Sequence, residues 1–168
     1  MTGLERLWAG WRATYIETAG EPIASAPNGC VFCGLFESGE ADERTHVVWR
    51  SNLVVAILNA FPYGSGHLLV MPARHVGGLG ELSAEERVAL WDAVHAGEAA
   101  IRAAYQPGGV NLGANLGRAA GAGIPGHLHV HLLPRWDGDT NFMTTVAETR
   151  VLPEPLEVTW RKLHEAWG

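Results

Sequence analysis

The segment GHLHVHLLPRW, residues 126–136, alternates strictly: His127, His129 and His131 take every second position, with Leu128, Val130 and Leu132 between and after them. In a β-strand, residues i, i+2 and i+4 share one face. The chain is therefore expected to contain a strand with aliphatic side chains toward a core and three imidazoles on the other face. Three of the eight histidines lie in this one run, which weighs against a merely polar, solvent-facing strand. Same-face neighbours on a strand stand about 6.5–7 Å apart. At that spacing three histidines do not readily chelate one ion, which weighs against a three-histidine metal site. They can instead divide tasks, one as nucleophile, one orienting it and one anchoring the strand end, because imidazole titrates near neutrality and its two nitrogens can do different work.

The stretch ahead of this strand, NLGRAAGAGIPG at 115–126, is rich in glycine. Glycines such as Gly121 and Gly123 let backbone approach a ligand and aim N–H groups at phosphate oxygens. Beside a nucleophile strand, such a turn is a candidate phosphate and oxyanion site.

Other segments supply the scaffold. Leu4, Leu7, Trp8, Trp11 and Tyr15 recur at helical spacing, so residues 4–18 are expected to form a packing helix. Residues 19–29 read as a linker, and ESGEADER at 37–44 as an exposed loop. THVVWR, NLVVAILN and GHLLVMP read as strands, the last two joined in a hairpin through FPYGSG. Ser83 and Glu86 form a capping-box pattern opening a helix to about residue 105, with Val88, Trp91, Val94, Ile101 and Tyr105 expected near one face. GVNLGANLG reads as a further strand, and residues 155–167 as a short closing helix. Hairpins with one dominant helix imply an α+β fold with an antiparallel sheet. The expected division is an N-terminal helix and linker at 1–29, a main domain at 30–150 and a helical tail at 151–168, all in one compact unit.

These segments together resemble the histidine-triad (HIT) superfamily. The carriers are HLHVHLL at 127–133, VVAILNAFPYGSGHLLVMPARHV at 54–76, NLGANLG at 111–117 and PRWDGDTNF at 134–142. The tail motif and the W-x-x-WR-x-x-YI start are similar to a bacterial branch of diadenosine-tetraphosphate phosphorylases and hydrolases. The resemblance implies a five-stranded antiparallel sheet with one long helix and terminal helices, a homodimer, and two-step nucleotidyl transfer. His129 would attack the α-phosphate of a dinucleoside polyphosphate to give a nucleotidyl-histidine, which water or phosphate resolves. His131 would orient His129 or touch phosphate. Asn59 would bind the ribose hydroxyls, and Asn115 would reach the phosphate side. Many relatives carry Ser, Thr or Gln in the turn to help the leaving group; this chain has Gly121-Ala122-Gly123-Ile124, with no such side chain, so the resemblance leaves leaving-group assistance and the preferred substrate open. A hydrolase of nucleoside phosphoramidates or adenylyl conjugates, and a non-catalytic nucleotide-binding regulator, are the alternatives; a retained nucleophile favours an enzyme.

The chain has two cysteines, Cys30 and Cys33, spaced C-x-x-C. In a reducing compartment this spacing suggests a metal knuckle or a redox pair. A redox C-x-x-C normally follows a strand, whereas a Pro/Gly-rich loop precedes Cys30. A zinc site needs about four N or S ligands. Resemblance to zinc-bearing relatives supplies the other two, His75 in PARHV and His127, in a structural role. His67 also matches a family position and is read as structural; His46, His95 and His164 are read as surface or packing residues.

The formal net charge of −6 argues against a nucleic-acid or anionic-membrane footprint, which needs clustered Lys and Arg. It leaves room for a small anionic ligand held by backbone N–H groups. The start MTGLERLWAGWRATYIE has no apolar core before a cleavage site, and no apolar run reaches membrane-spanning length. A cytoplasmic protein with a nucleotide substrate is the expectation.

Overall fold

A computed structural model describes residues 29–139 and 154–168. The expected helix over 4–18 and most of the linker lie outside the described residues. Helix α1 runs Val31–Glu37 and the short α2 Asp42–Thr45; strands β1 (Val47–Arg50), β2 (Val54–Leu58) and β3 (Leu68–Pro72) follow. Helix α3 spans Ala84–Tyr105, then come β4 (Gly109–Gly113), β5 (Val130–Arg135) and helix α4 (Leu156–Ala166). The five strands form one sheet in the order β1-β2-β3-β5-β4. Every neighbouring pair is antiparallel, as the α+β reading expected.

The sheet is covered on both faces at its centre. All five residues of β2 and all five of β3 are buried, which is why VVAIL and LLVMP are apolar throughout rather than alternating. On one face Ala56, Leu68, Val70, Val130 and Leu132 pack under α3 and α4 with Leu90, Ile101 and Leu163. Fully burying each such Leu or Ile is worth roughly 1.5–3 kcal/mol. On the other face Val55, Ile57, Leu69 and Met71 pack with Cys30, Phe32 and Cys33 of the α1 segment. Leu69 pairs with His131 in the β3–β5 register, so His131 projects to the α1 face.

Three local expectations are corrected. Helix α3 begins at the capping box of Ser83 and Glu86, but its buried stripe is Leu90, Ala93, Val94, Gly97, Ala100 and Ile101. Val88 (62% exposed) and Trp91 (51% exposed) point to solvent. Small residues let the helix lie close on the sheet, and the seam runs through them rather than through the large side chains. The stretch read as an exposed loop contains α2, tied to β1 by an ion pair between Asp42 and Arg50. The strand read over 109–117 ends at Gly113.

The two edges of the sheet differ. The β1 edge is closed by α4: Trp160 Nε1 donates to the Val47 carbonyl (2.8 Å) and His164 Nδ1 to that of Val48 (2.9 Å). On β4, Asn111, Leu112 and Gly113 are exposed. The β2–β3 loop is pinned to the end of β5 at Gly66, which has φ +76°; a Cβ there would stand 2.9 Å from Pro134 Cγ and 3.1 Å from Tyr105 Cε2. Only glycine meets both demands.

Candidate functional site

His127 and His129 lead into β5 and His131 lies within it. All three rings gather on the α1 face, as the alternation requires. Phe32 of α1 sets its ring edge against both His127 and His129, with centroids 5.5 Å apart in each case. The His129 and His131 centroids are 5.0 Å apart.

Hydrogen bonds fix how each imidazole carries its proton. The His127 carbonyl can only accept, so His129 Nδ1, 2.8 Å away, carries the proton. The neutral ring then keeps its lone pair on Nε2. Burial holds His129 below the ordinary imidazole range, against the pull of that carbonyl. The ring is therefore neutral near pH 7, with a nucleophilic nitrogen available.

His131 is set by a residue that the sequence reading placed outside the site. His67 is buried, and its Nδ1 accepts from the Tyr63 N–H at 3.0 Å. Its proton must then sit on Nε2, which donates to His131 Nδ1 at 2.9 Å. Neutral His131 consequently carries its own proton on Nε2. Burial, then the imidazoles of His131 and His129, push His67 down to about 3, so the His67 ring is neutral near pH 7. The sequence signal was present in the buried run GHLLV, but only the β3–β5 pairing reveals the partner.

Asn59 lies at the end of β2 and is almost buried. Its Oδ1 accepts from the Phe61 N–H at 3.0 Å, an Asx-type turn, and its Nδ2 stands 3.3 Å from His67 Nδ1. Gly113 of β4 pairs with His131. Asn115, two residues further, is half-buried. Gly121 takes φ +89°, where glycine is favoured, and closes a tight turn over Arg118–Ala120; Gly123 is half-buried.

Behind the triad, Cys30, Cys33, His75 and His127 bring four ligand atoms within 4.8 Å of one another. Helix α1 explains the C-x-x-C spacing: Cys30 caps it and Cys33 lies in its first turn, so both thiols face the sheet. This helix was not apparent from sequence. Cys30 Sγ and Cys33 Sγ lie 3.4 and 3.7 Å from His127 Nδ1, and Cys33 Sγ lies 3.4 Å from His75 Nδ1. Zinc–sulfur and zinc–nitrogen bonds of about 2.3 and 2.0–2.1 Å in a tetrahedron imply ligand separations of about 3.5 Å. The donor set and its spacing fit such an ion. His127 Nε2 donates to the Pro72 carbonyl at 2.9 Å, leaving the Nδ1 lone pair toward the sulfurs, the tautomer a metal ligand needs. Burial, then the adjacent Cys30, pushes the Cys33 thiol up to about 11, so binding a cation there must displace a proton. The loop carrying His75 is held by Arg74, whose guanidinium grips both oxygens of Glu86 at 2.8 and 2.9 Å. Glu86 also accepts from the Ser83 N–H to complete the helix cap.

An antiparallel sheet presenting alternating imidazoles beside a Cys2His2 cluster is the arrangement that the histidine-triad resemblance implies. The HIT domain family matches residues 40–138, and the chain belongs to that family. It is 38% identical over 168 residues to the AP-4-A phosphorylase of Mycobacterium tuberculosis, covering 98% of this chain and 85% of that protein. It is 34% identical over 95 residues to the asymmetrical bis(5'-nucleosyl)-tetraphosphatase of Schizosaccharomyces pombe, covering 56% of this chain and 52% of that one. A zinc-bound histidine triad family protein from Mycobacterium smegmatis superposes with a TM-score of 0.66 at 26% identity, covering 82% of this chain and 92% of its own. No helix among the described residues is long and apolar enough to cross a membrane.

Proposed function

We propose that this chain is a nucleotide-processing enzyme that cleaves dinucleoside polyphosphates through a nucleotidyl-histidine on His129. The observation that carries the reading is the orientation of His129: its Nδ1–H is committed to the His127 carbonyl, so Nε2 is the nucleophile. In the first step Nε2 attacks the α-phosphorus, a P–N bond forms, and the P–O bond to the remaining phosphates breaks. In the second, inorganic phosphate or water attacks the same phosphorus and releases His129. His131, protonated on Nε2, donates to a phosphate oxygen where charge develops. Backbone N–H groups around Gly121 and Gly123, with Asn115, hold the phosphates, and Asn59 meets the ribose hydroxyls. The names of the mycobacterial and yeast relatives support this substrate class.

Zinc at Cys30, Cys33, His75 and His127 is the second element of the reading. Bound there, it supplies structural cross-linking. His127 offers its ring to the ion and its carbonyl to His129, so the knuckle holds the nucleophile's backbone in place. A homodimer with a nucleotide substrate in the cytoplasm completes it. Exposed Leu112 on the open β4 edge, with exposed Val88 and Trp91 on α3, supports pairing with a second copy.

The test is incubation with diadenosine tetraphosphate, with and without inorganic phosphate. Nucleoside diphosphate formed only with phosphate means phosphorolysis; AMP formed without it means hydrolysis. His129→Ala is expected to lose turnover by many orders of magnitude while still binding nucleotide, because the covalent route is gone. Turnover near the native rate would refute the covalent mechanism.

A further inference from the structure

A cavity of about 470 Å³ opens where the β2–β3 loop meets the end of β5, within the size range of organic-ligand sites. The rings of Tyr63, Tyr105 and Trp136 contribute to its wall. Its charged groups are committed to one another. Arg135 grips both carboxylate oxygens of Asp139, at 2.5 and 2.7 Å. Lys162 pairs with Glu154 and stands 5.2 Å from the Tyr105 ring centroid. With each cation matched to an anion, the lining suits a neutral flat ring better than a phosphate.

Tyr63 links this cavity to the histidines. Its ring stacks on His131 with centroids 5.9 Å apart and planes within 13°, and His131 touches His129. Two ring contacts therefore separate the nucleophile from the cavity wall, a gap that a flexible polyphosphate can bridge.

We propose that this cavity receives the nucleobase of the departing half of a dinucleoside polyphosphate, while the attacked half lies at His129. The inference rests on the function proposed above. It gives the chain a means to favour dinucleotides over mononucleotides, since only the former carry a second base.

The test is calorimetric titration of the full, metal-loaded chain in a His129→Ala background, which spares the ligand. The probes are diadenosine tetraphosphate and AMP. Gly64→Phe fills the cavity: a Cβ at Gly64 would meet only Leu133 Cδ1, at an ordinary 3.5 Å. Trp136→Ala removes a wall, and Trp136→Phe restores a flat ring. Gly64→Phe and Trp136→Ala are each expected to weaken the dinucleotide by about tenfold, the scale of one lost base stack. AMP should change less than about twofold, and Trp136→Phe should keep most of the dinucleotide affinity. Equal effects on both ligands, or none on either, would overturn the subsite. If the native chain still processes the dinucleotide in that case, only the subsite falls. If the native chain neither binds nor processes it, the proposed function falls and takes the subsite with it.

Discussion

His67 makes a quantitative test of the relay that sets His131. The imidazole is 1% exposed, and its folded-state value is pushed from 6.5 to about 3. A histidine depressed in this way binds its proton in the unfolded chain first. Stability is then intact above about pH 6.5, falls as the pH drops below that value, and levels off below about pH 3. Between pH 7 and pH 5 the linkage relation gives a loss of about 2 kcal/mol from this residue alone. His127 and His129 are also depressed by burial and add to the slope in the same direction, so the native pH dependence by itself is not diagnostic. The decisive measurement is a difference: urea unfolding of native protein and His67→Gln, each at pH 7 and pH 5. The variant starts less stable, because it loses the bond to His131, but it lacks the titrating ring. Its loss between the two pH values should be smaller than the native loss by about 2 kcal/mol. Equal losses would mean that His67 is not a buried neutral imidazole, and the assignment of the His131 proton would fall with it.

Cys30→Ser should lower bound metal and melting temperature together, since site and fold are linked; metal analysis of protein purified without chelator checks this, and a stable metal-free native chain with two free thiols would refute the zinc assignment. Asn59→Ala should weaken ribonucleotides by about 1–3 kcal/mol. Native protein should lose a similar amount toward 2′,3′-dideoxynucleotides, without additivity between the two changes. If the variant keeps the native ratio of the two affinities, Asn59 is a turn residue only, serving the Phe61 N–H and His67. Leu112→Glu places a charge on the open β4 edge and should convert a dimer to a monomer in light scattering, while an unchanged mass would exclude that edge as the interface.

Much of the site was legible because its signals are periodic. The alternation over 127–132 placed the histidines on one face and Leu128, Val130 and Leu132 in the core, where all three are buried. Ser83 and Glu86 marked the start of α3 because both halves of a capping box are local. What escaped depends on tertiary partners. The stripe of α3 was misjudged because large side chains at Val88 and Trp91 outweighed Ala93, Gly97 and Ala100, whose small size is what brings the helix onto the sheet. The helix opening at Cys30 was hidden by the metal-like spacing of the cysteines. The role of His67 needed the long-range pairing of β3 with β5, which no window of sequence contains.

The unequal edges of the sheet limit how copies can add to one another. An exposed strand edge is an adhesive surface, and a subunit with two of them could polymerise strand to strand without end. Here the Val47 and Val48 carbonyls on the β1 side are occupied by Trp160 and His164, so among the described residues the proposed dimer would give each subunit a valence of one through its sheet. Two such subunits joined by their β4 edges exhaust that valence. Edge pairing then terminates in a closed pair rather than propagating as a fibre, and the mass of the native protein should stop rising at two chains as concentration increases.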